Sequence, residues 1–327
     1  MASIVHQRDG EPPVADGVRT SNTMLGIGLK IASVCVFVCM SSLLKASDGI
    51  PAGQLVFFRS FFAIFPVVAF IAWQGKMAVA FKTSEPFSHL WRGFVGVSAM
   101  SLTFYGLTKL PLPESIAISY ATPLLTVVCS AIFLHETVRL YRWSAVCFGL
   151  IGVLIILWPR MSFFTGETEF GGDQAIGALA TLGGSAFAAV AMLLVRKLVQ
   201  TERTPTIVVY FSISSSLIAL VSLPFGWAWP TPFQATCLVM AGIAGGVAQI
   251  LLTESYRHAD MSAIAPFEYT SMLLGIVIGY LLFGDVPTAE MITGAIIVIS
   301  AGIFIIYREH RLGLARARAR KASTPQG

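Results

Sequence analysis

Apolar residues in this chain gather into runs of about twenty, with polar residues confined to short stretches between them. That pattern differs from the one-sided stripe of a water-facing helix and from the alternation of a half-buried strand. Ten such runs are readable, over 23–44, 52–73, 92–108, 113–134, 142–159, 174–195, 206–228, 234–255, 261–283 and 288–307. About twenty residues at a 1.5 Å rise cover the roughly 30 Å of a bilayer's hydrocarbon core, so each run predicts a membrane-spanning helix. The longest connections are the Lys76 to Glu85 and Met161 to Asp173 segments, too short for a soluble domain. The expected fold is an all-α polytopic membrane protein of ten transmembrane helices. A disordered tail (1–22) precedes the helices, and a basic tail (308–327) follows them.

The pattern also repeats at larger scale. SYATPLLTVVCSAIFLHE, in the fourth run and its exit, places Tyr120 sixteen positions before Glu136, and EYTSMLLGIVIGYLLFGD, in the ninth, places Tyr269 sixteen before Asp285. Five runs separate the two, and an odd number of crossings turns the second copy upside down. Two inverted five-helix repeats are therefore expected, 23–159 and 174–307, joined by an external loop over 160–173. Loop charge agrees: Arg139 and Arg142 follow Glu136, whereas VPTAE after Asp285 carries no base.

Composition places the chain in lipid, with 55% hydrophobic residues and only 12% charged, against about 25% charged in a soluble domain. Seventeen of the 22 lysines and arginines fall on one side of a ten-crossing topology. Only Lys45, Lys109 and Arg160 fall on the other, and Lys30 and Arg59 lie inside runs. Basic residues collect in cytoplasmic loops, so both termini are expected in the cytoplasm and Gly166 outside. The C-terminal REHRLGLARARARK is read as a contact with anionic headgroups of the bilayer, not as a nucleic-acid arm. The N-terminal segment mixes Asp9, Glu11 and Asp16 with Arg8 and Arg19, unlike a signal peptide. The five cysteines lack metal or redox spacing and are expected as small core residues.

A few polar residues interrupt the apolar runs. Glu268 is expected about 10 Å into the ninth helix by the helical rise. There it either binds cargo or carries a coupling proton, or else serves as a structural pair of Lys30 or Arg59 or as a neutral carboxyl. Arg59, in FFRSFF, sits equally deep in the second helix and should face the interior, bonded to carbonyls, a carboxylate or ligand. Lys30 lies near the end of its run, where snorkelling suffices. Pro123 frees the carbonyl of Ser119 and Pro266 that of Ser262, so the fourth and ninth helices are expected to be interrupted where they carry polar groups. Ser119 aligns with Glu268 under the repeat. Tyr105, Tyr120 and Tyr269 can stack on a flat heterocycle and bond its polar edge, while Phe104 and Phe267 read as core. Glu114, Glu136 and Asp285 read as caps of the helices they begin or precede. An enzyme would need clustered metal-binding acids or a nucleophile beside a base, and neither pattern occurs.

The five-plus-five pattern, with FFRSFF, PLPESIAISYATPLLTVVCSAIFLHETVRLYRW and SAIAPFEYTSMLLGIVIGYLLFGDVP, resembles the EamA transporters of the drug/metabolite transporter superfamily over nearly the whole chain. Within that superfamily KASDGIPAGQLVFFRS and FYGLTKLPLPESIAISY look most like bacterial riboflavin transporters, with S-adenosylmethionine transporters close behind. The resemblance implies a secondary transporter of a small metabolite in the bacterial inner membrane, without cofactor or metal, and riboflavin as first candidate cargo. S-adenosylmethionine or an amino acid is the alternative, moved inward or outward. Candidate binding or coupling residues are Glu268, Tyr269, Tyr120, Ser119, Arg59 and Tyr105; an arginine at position 59 looks common among relatives with different cargo. A flavin would need Glu268 at most as a polar group, whereas a sulfonium would need it as an anion.

Overall fold

The computed structural model describes residues 23–75, 77, 83, 85–133, 140–160, 171–202, 204–259 and 264–322. Among these residues the regular structure is helical throughout, as required where no water is available to satisfy backbone groups. The α-helices are α1 (Thr23–Lys45), α2 (Ala52–Trp73), α3 (Pro86–Lys109), α4 (Leu112–Ser119), α5 (Ala121–Phe133) and α6 (Leu140–Leu157). They continue with α7 (Gly171–Thr201), α8 (Thr204–Leu220), α9 (Pro232–His258), α10 (Thr270–Ile278) and α11 (Ala289–Ala322). A 3-10 turn, Ala265–Tyr269, leads into α10, and a π turn, Gly279–Phe283, leads out of it.

Every apolar run carries helix. Among the described residues, seven helical stretches are long and apolar enough to cross a membrane, and Thr206–Leu220 and Phe267–Phe283 are shorter apolar helices. The 24-residue α3 is long enough but more polar, with His89, Arg92 and several hydroxyl residues in it. Two runs are interrupted as the sequence leads one to expect, and two depart from the expectation. The fourth run is two helices meeting at Tyr120, and the ninth is a 3-10 turn joined to α10. The seventh run ends as helix at Leu220, followed by the short Leu223–Phe225 turn and left-handed Gly226. The last helix does not stop near residue 307 but continues to Ala322, through a segment rich in the strong helix formers Ala, Arg, Leu and Lys. The expectations for the first 22 residues, Glu136, Arg139 and Gly166 lie outside the described residues.

The two halves of the sequence interlock. α1 packs on α9 and α7 on α3; α2 packs on α9 and α8 on α3; α2 meets α8, and α6 meets α11. One core joins Tyr120, Leu124 and Val153 to Met272, Met291 and Val298. A second joins Leu44, Leu55 and Phe104 to Ala219 and Leu238. Lipid offers apolar side chains no less than a neighbouring helix does, so association depends on close backbone approach over small residues. Gly152 and Gly294 show this at the α6–α11 crossing: a Cβ on Gly152 would stand 2.8 Å from the Gly294 carbonyl oxygen, and one on Gly294 2.5 Å from that of Gly152. Of the cysteines only Cys237 is buried; Cys39 and Cys147 are exposed, so the expectation of five core cysteines is corrected.

Candidate functional site

The interruptions in the fourth and ninth segments meet. Tyr120 closes α4 with φ −68°, ψ −6°, and Tyr269 precedes α10 with φ −69°, ψ −10°. Their rings touch edge to face, centroids 5.1 Å apart at 72°. The prolines reach this common geometry from opposite sides. Pro123 lies in the first turn of α5, where a missing N–H is tolerated, so the break falls before it. Pro266 opens the 3-10 turn, so the break into α10 falls after it.

A chain of hydrogen bonds fixes the tyrosine pair. The Ser271 hydroxyl donates to the Glu268 carbonyl oxygen at 2.7 Å. That leaves its oxygen to accept from the Tyr120 hydroxyl at 2.5 Å. Gly302 on α11 gives the Tyr269 hydroxyl its room, because a Cβ there would overlap it. Ring and hydroxyl are thereby held at the point where the backbone changes direction.

Next to the tyrosines is an ion pair. The Lys30 ammonium donates to a Glu268 carboxylate oxygen, joining α1 to the 3-10 turn across 238 positions of sequence. The Lys30 side chain is 4% exposed and that of Glu268 49%. The lysine is therefore sealed among the helices while the acid remains accessible. Snorkelling of Lys30 is corrected: the side chain turns inward to a carboxylate instead of outward to headgroups. Glu268 itself lies in a 3-10 turn one position before the break and is half exposed. Its partner, open between Lys30 and Arg59 in the sequence, is Lys30.

The other candidate residues lie elsewhere. Ser119 is adjacent to Tyr120, but its hydroxyl donates to the Ser115 carbonyl of its own helix at 2.8 Å. Tyr105 is half-buried on α3, and its carbonyl accepts from Thr108. Arg59 is buried on α2, its Nε without a hydrogen-bond partner, next to Gly245 of α9. Phe104 is a core residue, as read from sequence. Glu114 is buried in the first turn of α4, where the helix dipole favours an acid.

Asp285 does not cap the helix that follows it. Its carboxylate accepts from the Leu112 N–H at 2.9 Å, at the start of α4, and lies 3.7 Å from the Lys45 ammonium. Lys45 in turn donates to the Leu110 carbonyl at 2.5 Å. The first turn of α11 is served instead by the Thr288 hydroxyl, which accepts from Met291 N–H. Sequence reasoning did not single out Ser271 or Gly302. Their signal was present only as a hydroxyl two residues after the repeated tyrosine and a small residue among large apolar ones in the last run.

Chemically, the site offers a carboxylate and an ammonium that can exchange each other for the complementary groups of a ligand. Beside them lie two aromatic rings on which a flat group can stack. Comparisons with known proteins agree with a site for a small solute. The model of the EamA-like transporter family matches twice, over residues 21–158 and 175–308. The S-adenosylmethionine uptake transporter of Rickettsia prowazekii is 30% identical over 261 residues, 79% of this chain and 84% of its own. The riboflavin transporter of Vibrio cholerae is 28% identical over 285 residues, 86% and 91% of the two chains. The pseudopaline exporter of Pseudomonas aeruginosa is 25% identical over 280 residues, 85% and 94%. A solved crystal structure with 18% identity covers 90% of this chain and 98% of its own at a TM-score of 0.62, a likeness of fold. These matches point to a metabolite transporter and not an enzyme, and with both matched stretches spanning most of its length, this multi-pass membrane chain belongs to the EamA-like transporter family.

Proposed function

We propose that the chain is a secondary transporter for an amino-acid-like zwitterion that carries a flat ring, with S-adenosylmethionine as the leading cargo. The observation that carries this reading is the Lys30–Glu268 pair beside the Tyr120–Tyr269 contact. A zwitterionic ligand can replace both members of the pair at once, its amino or sulfonium group going to Glu268 and its carboxylate to Lys30, so neither protein charge is stranded. Its ring then lies on the tyrosines. The pair also reverses the order of candidates drawn from sequence, because a neutral flavin would have to leave the pair intact or break it without compensation. Riboflavin stays as the second reading, favoured by the two tyrosines and by the relatives that bear its name.

The architecture in this proposal is two inverted five-helix halves, 23–159 and 174–307, crossing the inner membrane ten times with both termini in the cytoplasm. Three observations support it. Helix pairings map onto one another when the halves are exchanged, α1 on α9 matching α7 on α3 and α2 on α9 matching α8 on α3. The two tyrosine breaks share their backbone angles. The family model matches once in each half. A reporter active only in the cytoplasm, attached at the C-terminus, should give signal, and one attached after Gly166 should not.

Proteoliposomes holding the purified protein test the cargo. Saturable movement of labelled S-adenosylmethionine that resists a large excess of riboflavin is the expected result. Movement of riboflavin that resists S-adenosylmethionine would put the flavin first.

A further inference from the structure

Away from the tyrosines, the bundle buries a second group of cationic and hydroxyl side chains. Arg59 on α2 is 6% exposed, and its Nε has no hydrogen-bond partner. Arg92 on α3 has Nε and Nη1 in the same condition, its guanidinium 4.1 Å from the centroid of the Phe211 ring of α8. Arg92, one of the seventeen cations that the sequence assigns to the cytoplasmic side, lies within α3 and stacks on a ring. A Cβ on Gly93, next to Arg92, would overlap the Ser214 hydroxyl oxygen of α8, and one on Gly53 of α2 that of Ser222, so Arg92, Ser215 and the Arg59–Ser60 stretch fall at one level of the three helices. On the same helices the hydroxyls of Ser60 and Ser215, both fully buried, also lack partners. These residues belong to α2, α3 and α8, which pack against one another pairwise.

Several details separate this group from ordinary buried arginines. Ion pairs among the described residues join Lys30 to Glu268, Lys45 to Asp285, His89 to Glu202 and Lys109 to Asp173, and none involves Arg59 or Arg92. Arginine cannot shed its proton to escape a low dielectric, so it needs a negative partner. Two such cations at one level of the bundle need one more, because they also repel. Gly245 keeps space beside Arg59, for a Cβ there would stand 3.2 Å from Nε. Phe211 holds Arg92 by its face, which leaves the N–H edge free to donate. Guanidinium edges with hydroxyls nearby are the donor set that grips a planar carboxylate or a phosphate.

We infer that Arg59 and Arg92, with the Ser60 and Ser215 hydroxyls on the same helices, form a binding site for an oxyanion, a carboxylate or phosphate group, within the bundle. The oxyanion is either the carboxylate of the transported solute, at a stage of its passage after it has left Lys30, or a free inorganic anion. The solute alternative rests on the zwitterion reading above; the site itself does not.

Two arms test this with the full-length protein. In detergent micelles at constant ionic strength, replacing chloride with phosphate or acetate should raise the unfolding midpoint of the wild type. The rise should vanish in Arg92→Gln and Arg59→Gln, persist in part in Arg59→Lys, which also serves if Arg59→Gln does not fold, and remain whole in the control Arg308→Gln. No rise in the wild type, or an equal rise in Arg92→Gln, overturns the site. In proteoliposomes, the probes are S-adenosylmethionine and its decarboxylated analogue. If the solute supplies the oxyanion, Arg92→Gln cuts the preference of the wild type for the carboxylate form by about tenfold or more, the worth of a charged hydrogen bond, and leaves only the part due to Lys30. If a free anion supplies it, Arg92→Gln leaves that preference unchanged, and both probes move faster as phosphate is added. Failure of both probes to move breaks the zwitterion reading alone, and the micelle arm still decides the site.

Discussion

The two tyrosine breaks share a backbone and differ in chemistry. At the first, Tyr120 follows Ser119, a neutral residue whose hydroxyl is satisfied within its own helix. At the second, Tyr269 follows Glu268, an acid tied to a lysine on another helix. Their φ and ψ agree within a few degrees. The bend is thus present in both places, while the charge is found in one. Bending depends on backbone and proline, which tolerate many side chains; recognition depends on a functional group, and one copy of it suffices.

The comparison breaks if the acid turns out to be no more important than the serine. Glu268→Gln is expected to lower transport of S-adenosylmethionine by about a hundredfold. It should also cost about 1–3 kcal/mol of stability, because the sealed Lys30 loses its counter-charge while the half-exposed acid limits the loss. Adding Lys30→Met should restore the melting temperature without restoring transport. Recovery of both would make the pair structural. Uptake kinetics and calorimetry on the same preparations separate these outcomes.

A smaller effect sharpens the role of the second break. Gly302→Ala pushes a methyl group into the space of the Tyr269 hydroxyl and should cost about 1–3 kcal/mol, with a rise in the KM for transport as the ring tilts. Unchanged kinetics would show that ring position is unimportant. Tyr120→Phe removes one donor from the Ser271 oxygen, and a loss of about 1 kcal/mol is expected in thermal unfolding. Ser119→Ala is the smallest change, expected within about 0.5 kcal/mol and with wild-type uptake, since its hydroxyl bonds only its own helix. A transport defect in Ser119→Ala would place chemistry at both breaks and end the contrast.

The helices were legible because lipid demands long apolar runs, and the paired tyrosines because they stand at equal spacing before an acid. Legibility failed where a contact joins distant positions. Nothing local in Lys30 reveals that it turns toward a carboxylate 238 residues away. Its place near the end of an apolar run made snorkelling the simpler expectation. Arg92 failed similarly, since an arginine near a helix end reads as a cytoplasmic-side charge until Phe211 is seen under it. Proline position was informative about interruption but not about where the bend falls, because a proline serves equally before or after a break.

The Asp285 carboxylate sets an order of events in biosynthesis. It accepts from Leu112 N–H, 173 positions earlier in the chain, and stands beside Lys45, which itself holds the Leu110 carbonyl. At a synthesis rate of about 5–20 residues per second, α4 waits roughly 9–35 s between its own emergence and that of its cap. Until then the Lys45 charge and the first amide of α4 must be satisfied by water or headgroups. This end of the bundle can close only once the residue that follows the ninth run has been made, so a late part of the chain completes a junction begun by an early one.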